Sequence, residues 1–339
     1  MKNKPNFNTI WIQPQKPENF DNLDHDLEYK RNNYGLPSVK QSMVGHCTYP
    51  WNSITVDQQG RIFLCRCDGW LPFPVGHVLD FMSFDEIFNS TQAKKIQKSI
   101  IDKTYEFCAT SVCNFNTRLN DEAEYISLNI TIDISCNLSC PSCRERLIFI
   151  NDDELLLEKM SWVDRMGQWV NQSDRSINVI YGGGDPLASL FYKKTFELFA
   201  NNTNVNFNLM TNGLLVKTHF QIIDAIFDRI CFTISIDAAT KKTYEQVRRG
   251  GKWGQLLENL EFLKSKNKQS KAMFVIQQDN FKEIPQFIDF CKEYALTPYF
   301  TLLEDWGTWH NFKEHCVHIS DSPNYEEFLR IIKDHNIKI

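Results

Sequence analysis

Between residues 125 and 302 the sequence switches repeatedly from a two-residue to a 3.6-residue apolar period, and this alternation limits the fold more than any other feature. Tyr125 to Ile134 alternates and is rich in β-branched residues, which suits a pleated strand. Short apolar runs follow near Ile177, Val205, Ile230, Met273 and Tyr299. Helical patterns lie between several of them. Asp152 to Asn171 gathers Leu155, Trp162, Val163, Met166, Trp169 and Val170 on one face, and Leu256 to Leu263 and Ile284 to Tyr294 are also periodic. Strands that alternate with helices are joined by crossovers and pair in parallel. Six such units predict an α/β fold, a partial (β/α)6 TIM-like barrel over residues 122 to 310. Active sites of such barrels lie at the C-terminal ends of the strands, where Cys136, Gly182, Asn212, Ser235, Asp237, Gln277 and Glu304 fall.

At the end of the first of these strands stands Cys136-Asn-Leu-Ser-Cys140-Pro-Ser-Cys143. Three thiolates in one short loop can face a single iron-sulfur cube and leave its fourth iron open for chemistry. A three-cysteine zinc site and chance clustering are the alternatives that spacing alone leaves open. Further along, Ile177 to Tyr181 runs straight into Gly182-Gly183-Gly184-Asp185-Pro186, and Ser235-Ile-Asp237 is followed by Arg248 and Arg249.

On these motifs the chain resembles the radical S-adenosylmethionine superfamily. Gly182 to Asp185 stand in the place of that family's glycine-rich "GGE" motif, with Asp185 for the commoner Glu; Ser142 stands where many members carry an aromatic residue. The resemblance implies a 4Fe-4S cluster on Cys136, Cys140 and Cys143, with S-adenosylmethionine chelating the open iron. It implies cofactor contacts from Gly182, Gly183, Gly184 and Asp185, from Ser235, Asp237 and Arg248 toward ribose and carboxylate, and from Val275 and Ile276 as an apolar wall for adenine. The alternative for Ser235 and Asp237 is a strand end with the N-cap of the next helix, and Arg249 reads as a solvated helix charge. The reaction implied is reductive cleavage of the cofactor to a 5'-deoxyadenosyl radical that abstracts hydrogen from a substrate. A peptide or protein is expected, with oxidation, crosslinking or epimerisation as outcomes and an external electron donor such as flavodoxin or ferredoxin. A small carbohydrate-like substrate is the runner-up. A non-catalytic iron-sulfur or electron-transfer protein is the reading from another class.

Ahead of the barrel the sequence predicts an extension over residues 1–45 and a small cysteine-rich α+β domain over 46–118. Ser53 to Asp57 and Arg61 to Cys65 read as a hairpin around Gln58-Gln59-Gly60, and Ser83-Phe-Asp-Glu86 as a capping box that starts a helix running to about Ile101. Cys47, Cys65, Cys108 and Cys113 could close a four-thiolate shell around a second cluster, with Cys67 as a spare ligand; a structural zinc suits the same four thiolates. The Cys…Gly-x4-Cys opening resembles SPASM and twitch domains, auxiliary-cluster modules that usually follow the barrel rather than precede it. Residues 311–339 read as a C-terminal helical segment.

The formal charge of -5 and the lack of a basic cluster argue against a nucleic-acid partner, and no run of 18 apolar residues suggests a membrane span. With no basic-then-apolar leader, a cytoplasmic location is expected, where eleven cysteines point to metal or redox chemistry rather than disulfides. Cys231 in a strand and Cys291 on a helix are expected to be buried apolar residues. His315, Cys316 and His318 read as a chance cluster, and Trp306 to Trp309 as rim packing or a substrate mouth.

Overall fold

The structure is a computed structural model that describes residues 47–65, 71–108, 125–150 and 152–338. Cys67, Cys113 and the extension at 1–45 lie outside the described residues. Among those described, the strands are β1 (Ser53–Val56), β2 (Arg61–Phe63), β3 (Gly76–His77), β4 (Tyr125–Ile130), β5 (Ser176–Tyr181), β6 (Val205–Thr211), β7 (Ile230–Ser235), β8 (Ser270–Ile276) and β9 (Leu296–Leu302). They form one sheet in the order β3-β2-β1-β4-β5-β6-β7-β8-β9. All neighbours from β4 to β9 are parallel, and the sheet ends at β3 and β9 without closing.

The expected alternation positions this sheet. In β6, Val205, Phe207, Leu209 and Thr211 are buried, whereas Asn206 and Met210 are exposed, so one face packs into the core and the other stays open. The helix Asp153–Gln172 buries Trp162, Val163, Met166, Trp169 and Val170 as its periodicity predicts, and Asp152 caps it by accepting from Leu155 N at 3.1 Å. The helices Leu190–Phe199, Trp253–Ser265 and Ile284–Glu293 cover the same apolar side, where Phe196, Leu260 and Phe287 join the core.

The hairpin of the cysteine-rich segment joins the main sheet: β1 pairs antiparallel with β2 and parallel with β4, so the hairpin covers what would otherwise be the barrel's exposed edge. Asn129 Nδ2 reinforces the join by donating to Ile54 O at 3.2 Å. The single helix expected up to Ile101 is two, Phe84–Asn89 and Thr91–Ile101. Ser90 breaks it by adopting an extended conformation (ψ 157°), and its hydroxyl accepts from Ala93 N to start the second helix. At the hairpin, Gly60 takes φ +72° as expected, and a Cβ there would lie 2.3 Å from His77 Nε2.

One buried charge joins the two parts. Lys159, on the buried face of Asp153–Gln172, donates to Gln58 O in the hairpin turn and to Ile132 O beyond β4, both at 2.7 Å. Burial lowers its ammonium to about 8, against the opposing pull of Asp133. Because the unfolded chain holds this proton more tightly, the group's contribution to stability rises as pH climbs through about 8 toward the unfolded value of 10.5. Comparing thermal midpoints of the wild type and Lys159→Met between pH 7 and 9.5 should show the wild type gaining on the variant. Parallel curves would refute a buried, destabilised ammonium.

Candidate functional site

Beyond β4 the chain turns through Asp133 and Ser135 into the cysteine loop. The loop is closed by an isolated bridge in which Cys136 N donates to Ile148 O at 3.0 Å. Inside it, Cys143 N and Arg144 N both donate to Cys140 O at 2.9 Å, which coils Cys140 and Cys143 into one turn. Cys140 is buried, Cys136 half-buried and Cys143 exposed. Each thiol meets a side-chain N–H donor: Arg144 Nη2, from within the loop, at 3.5 Å from Cys143 Sγ, Arg248 Nη1 at 3.8 Å from Cys140 Sγ and Asn212 Nδ2 at 3.9 Å from Cys136 Sγ. Leu138 N adds a backbone donor to Cys136 Sγ at 3.4 Å.

Burial first, and then the Asp185 carboxylate, push the Cys136 thiol up to about 12, while Arg144 pulls the other way. Burial also raises Cys140, against Arg248. Loading this loop with metal therefore displaces protons. Among the described residues no three His, Cys, Asp or Glu side chains converge as ligands of one metal ion. A tetrahedral zinc would draw its thiolates to within about 4 Å of one another. A cube of four irons takes one thiolate per iron and holds them further apart.

The glycine turn after β5 packs under this loop. Gly182 N donates to Ile130 O at 3.0 Å and Asp185 N to Ser135 O at 2.9 Å. Gly183 has φ +91°, and a Cβ there would stand 2.5 Å from Asp133 O; one on Gly184 would stand 2.0 Å from Ser135 O. The missing side chains thus admit the chain's own backbone. Arg144, only 5% exposed, ties the layers together by donating to Ile134 O at 2.6 Å and Gly183 O at 2.8 Å. The Tyr192 hydroxyl accepts from Asp133 N at 3.0 Å and lies 2.8 Å from Gly182 O. The Asp185 carboxylate accepts from Leu187 N, Thr211 Oγ1 and Asn212 N at 2.8 to 3.0 Å, so it braces the end of β6. Its pKa is raised by burial, which those donors oppose.

The end of β7 is equally constrained. Asp237 adopts φ +61°, a left-handed conformation that a non-glycine residue keeps only when its surroundings insist. Its carboxylate accepts from Val275 N at 2.8 Å and pairs with Arg248 at 2.6 Å, and Asn280 Nδ2 donates to its carbonyl at 2.9 Å. The next helix, Lys241–Val247, is capped by Thr240 rather than by Ser235 or Asp237. Arg248 remains a cation because Asp237, then Cys140, outweigh the burial that disfavours its charge. Arg249 is not merely solvated: it donates to Ser139 Oγ at 3.2 Å, Arg144 O at 3.1 Å and Glu145 O at 2.7 Å, and so clamps the cysteine loop. Strand alternation sends Val275 and Ile276 to opposite faces; Val275 is half-buried and Ile276 lies in the core, so the two do not share a wall. Ser235 and Gln277 are buried at their strand ends, and Glu304 is exposed.

In the N-terminal segment Tyr105 lies among the expected ligands. Burial, then the thiols of Cys108 and Cys47, raise its pKa, so two cysteines distant in sequence share one neighbourhood. Cys65 is held at the end of the hairpin, where its carbonyl accepts from Thr55 Oγ1 at 2.6 Å. Among the discounted residues, Cys291 is buried as expected but Cys231 is exposed, because it falls on the open face of β7. Cys316 is buried, and it gathers no metal-binding group with His315 and His318.

Sequence reasoning missed Arg144, Asn212 as a thiol donor, Arg249 as a clamp, and Tyr192. Arg144 carried a signal, a cation next to a thiolate; Tyr192 carried none. Gly184→Ala should displace the cysteine loop, since Ser135 O cannot yield by an ångström without moving Cys136. Iron bound per chain after anaerobic reconstitution should fall at least twofold while far-ultraviolet circular dichroism stays near wild type. Full iron loading would show that the turn and the loop are not in register.

Comparison with known proteins agrees with this geometry. Residues 134–291 match the Radical SAM superfamily and residues 47–114 match SPASM, an iron-sulfur cluster-binding domain. A GTP 3',8-cyclase of Alkaliphilus metalliredigens is 33% identical over 143 residues, 40% of this chain and 42% of the relative. A probable GTP 3',8-cyclase of Methanococcus maripaludis is 24% identical over 176 residues, 50% of this chain and 56% of the relative. The chain thus spans about half the length of these relatives. Among solved structures, anSMEcpe with bound AdoMet and Kp18Cys peptide has a TM-score of 0.46 at 21% identity, covering 62% of this chain and 59% of that one. Streptococcus suis SuiB bound to S-adenosylmethionine has a TM-score of 0.44 at 13% identity, covering 74% and 59%. With the thiol loop, the glycine turn and β5 to β8 all inside the first matched region, residues 134–291 are a radical SAM domain, and residues 47–114 are a SPASM iron-sulfur domain on its N-terminal side.

Proposed function

We propose that this chain is an enzyme that cleaves S-adenosylmethionine reductively at a cluster held by Cys136, Cys140 and Cys143, and that its substrate is a peptide or protein. The observation that carries the reading is the thiol loop: three cysteines at the C-terminal edge of a parallel sheet, each facing an N–H donor. When bound, the cluster and S-adenosylmethionine supply electron-driven cleavage of the sulfonium C–S bond and so a 5'-deoxyadenosyl radical.

The remaining tasks fall to the protein. Arg144 and Arg249 hold the loop in shape, and Gly182, Gly183, Gly184 and Asp185 form the floor that keeps it pressed to β4 and β5. Buried polar atoms without a protein partner cluster around this edge: Arg248 Nε, Gln277 Nε2 and the Tyr244 hydroxyl. Such groups are rare in a folded protein and call for an explanation, and a polar ligand at the strand ends provides one. Ser235 and Val275 share the open-face parity of β7 and β8 and would meet that ligand directly, whereas Asp237 would act through Arg248 and Val275. A second cluster would sit on Cys47, Cys65, Cys108 and Cys113, with electrons delivered by a flavodoxin- or ferredoxin-like donor.

The open face of the sheet supports the substrate class. Asn206, Met210, Cys231, Lys271, Thr297 and Tyr299 are exposed on it, and the sheet does not close around them. A small polar molecule is best held in a concave cavity that buries most of its surface. An open face with hydrogen-bonding groups such as Asn206, Lys271, Thr297 and Tyr299 spread across neighbouring strands instead fits an extended chain, whose backbone needs hydrogen bonds along its length. The partial identity with a GTP 3',8-cyclase favours a nucleotide as the second reading.

Anaerobic reconstitution should load about eight irons per chain, as two four-iron shells require. Replacing Cys136, Cys140 and Cys143 with Ala should leave about four and abolish release of 5'-deoxyadenosine under a strong reductant. Cofactor cleavage by that triple variant would end the proposal. Deoxyadenosine release that is stimulated by GTP and by no peptide would turn it to the nucleotide reading.

A further inference from the structure

Nitrogen donors from three parts of the fold converge on the three thiols. Arg144 belongs to the loop itself, Asn212 follows β6, and Arg248 follows the helix Lys241–Val247. Each is anchored independently of the sulfur it approaches. Arg144 is held by Ile134 O and Gly183 O, Asn212 by Asn137 Oδ1 at 2.8 Å and Leu214 N at 3.1 Å, and Arg248 by Asp237. Arg144 is the informative member. A buried guanidinium is ordinarily matched by a carboxylate, yet no ion pair with Asp or Glu is formed by Arg144 among the described residues. Its Nη2 instead donates to Cys143 Sγ at 3.5 Å. Among the described residues the fold has thus placed a guanidinium beside an expected cluster ligand and paired it with no carboxylate.

We propose that Arg144, Arg248 and Asn212 form a donor ring that raises the reduction potential of the cluster bound by Cys136, Cys140 and Cys143. The inference rests on the reading of that triad as a cluster site. Adding an electron makes a cluster and its sulfurs more negative. Fixed N–H dipoles and buried cations beside those sulfurs stabilise the reduced state more than the oxidised one, and burial keeps their field from being screened. The electron comes from the external donor, and no bond forms or breaks at the ring. The ring also gives Arg248 a role other than the contact with a cofactor carboxylate that its motif implies, since its Nη atoms are directed at Asp237 and Cys140.

The test is stepwise reduction of the reconstituted full chain, followed by electron paramagnetic resonance without added S-adenosylmethionine. In Arg144→Gln, poised at the wild-type midpoint, the ratio of reduced to oxidised cluster should drop about tenfold, the change that 59 mV produces in a one-electron couple. Arg144→Lys should restore most of it, and the potential of the second cluster should not move. An unchanged midpoint in Arg144→Gln at full iron content overturns the proposal. Should Arg144→Gln lose iron, Asn212→Leu decides: a shift in the same direction supports the ring, and an unmoved potential overturns it. Arg248→Gln adds a separate arm. A lowered potential with unchanged S-adenosylmethionine affinity places Arg248 in the ring, whereas lost affinity at an unchanged potential removes it. If the wild type holds no four-iron cluster on the triad, the iron count shows it before any potential is measured, and both this inference and the proposed function fall.

Discussion

The site depends on the contact between two backbone segments with nothing between them. Where Asp133 to Ser135 pass over Gly183 and Gly184, no room remains for a Cβ, and the gap is closed by main-chain hydrogen bonds and by Arg144. Parallel strands at the ordinary spacing bring β4 and β5 together; glycine lets their extensions stay together past the last ladder bond. Cys136 inherits its position from that contact, and Cys140 and Cys143 inherit theirs from the turn that follows. The fold supplies further hold from outside the loop. Arg249, after the helix Lys241–Val247, and Asn212, after β6, reach in and bind it on its remaining sides.

Continuity of the sheet also changes the relation between the two cysteine-rich regions. Because β1 pairs with β4, the hairpin that presents Cys65 is hydrogen-bonded to the strand that presents Cys136. Lys159 then connects the hairpin turn with the segment just before the loop. The two modules are therefore joined by strand pairing and by a buried ammonium. That coupling is what an auxiliary cluster would require if substrate held near it had to be presented to the open face of the sheet.

Much of this was legible in the sequence. The β/α alternation, the thiol spacing and the glycine run each follow from local rules: a two-residue period for strands, three ligands within one loop, and residues without Cβ where the backbone must turn tightly. These signals are short-range, so six strands, the hairpin at Gly60 and the face of the helix Asp153–Gln172 could be placed without coordinates. The break at Ser90 was missed because a capping serine in mid-helix and a serine on a solvent face look alike until the chain's direction is known.

What only the tertiary structure decided is which distant groups meet. Periodicity assigns Cys231 to a strand, but only the packing of helices on one side of the sheet makes its face the open one. Arg249 looked like a surface charge because its partners, Ser139, Arg144 and Glu145, lie about a hundred residues away. Asp237 and Arg248 carried an expectation of cofactor contact, and folding in addition pairs them with each other at 2.6 Å. Such pairings depend on the order of strands in the sheet, and local propensity carries no term for that order. The sequence by itself therefore determined the elements and the chemical character of the thiol loop, and the assembled sheet determined which arginines, amides and backbone groups surround it.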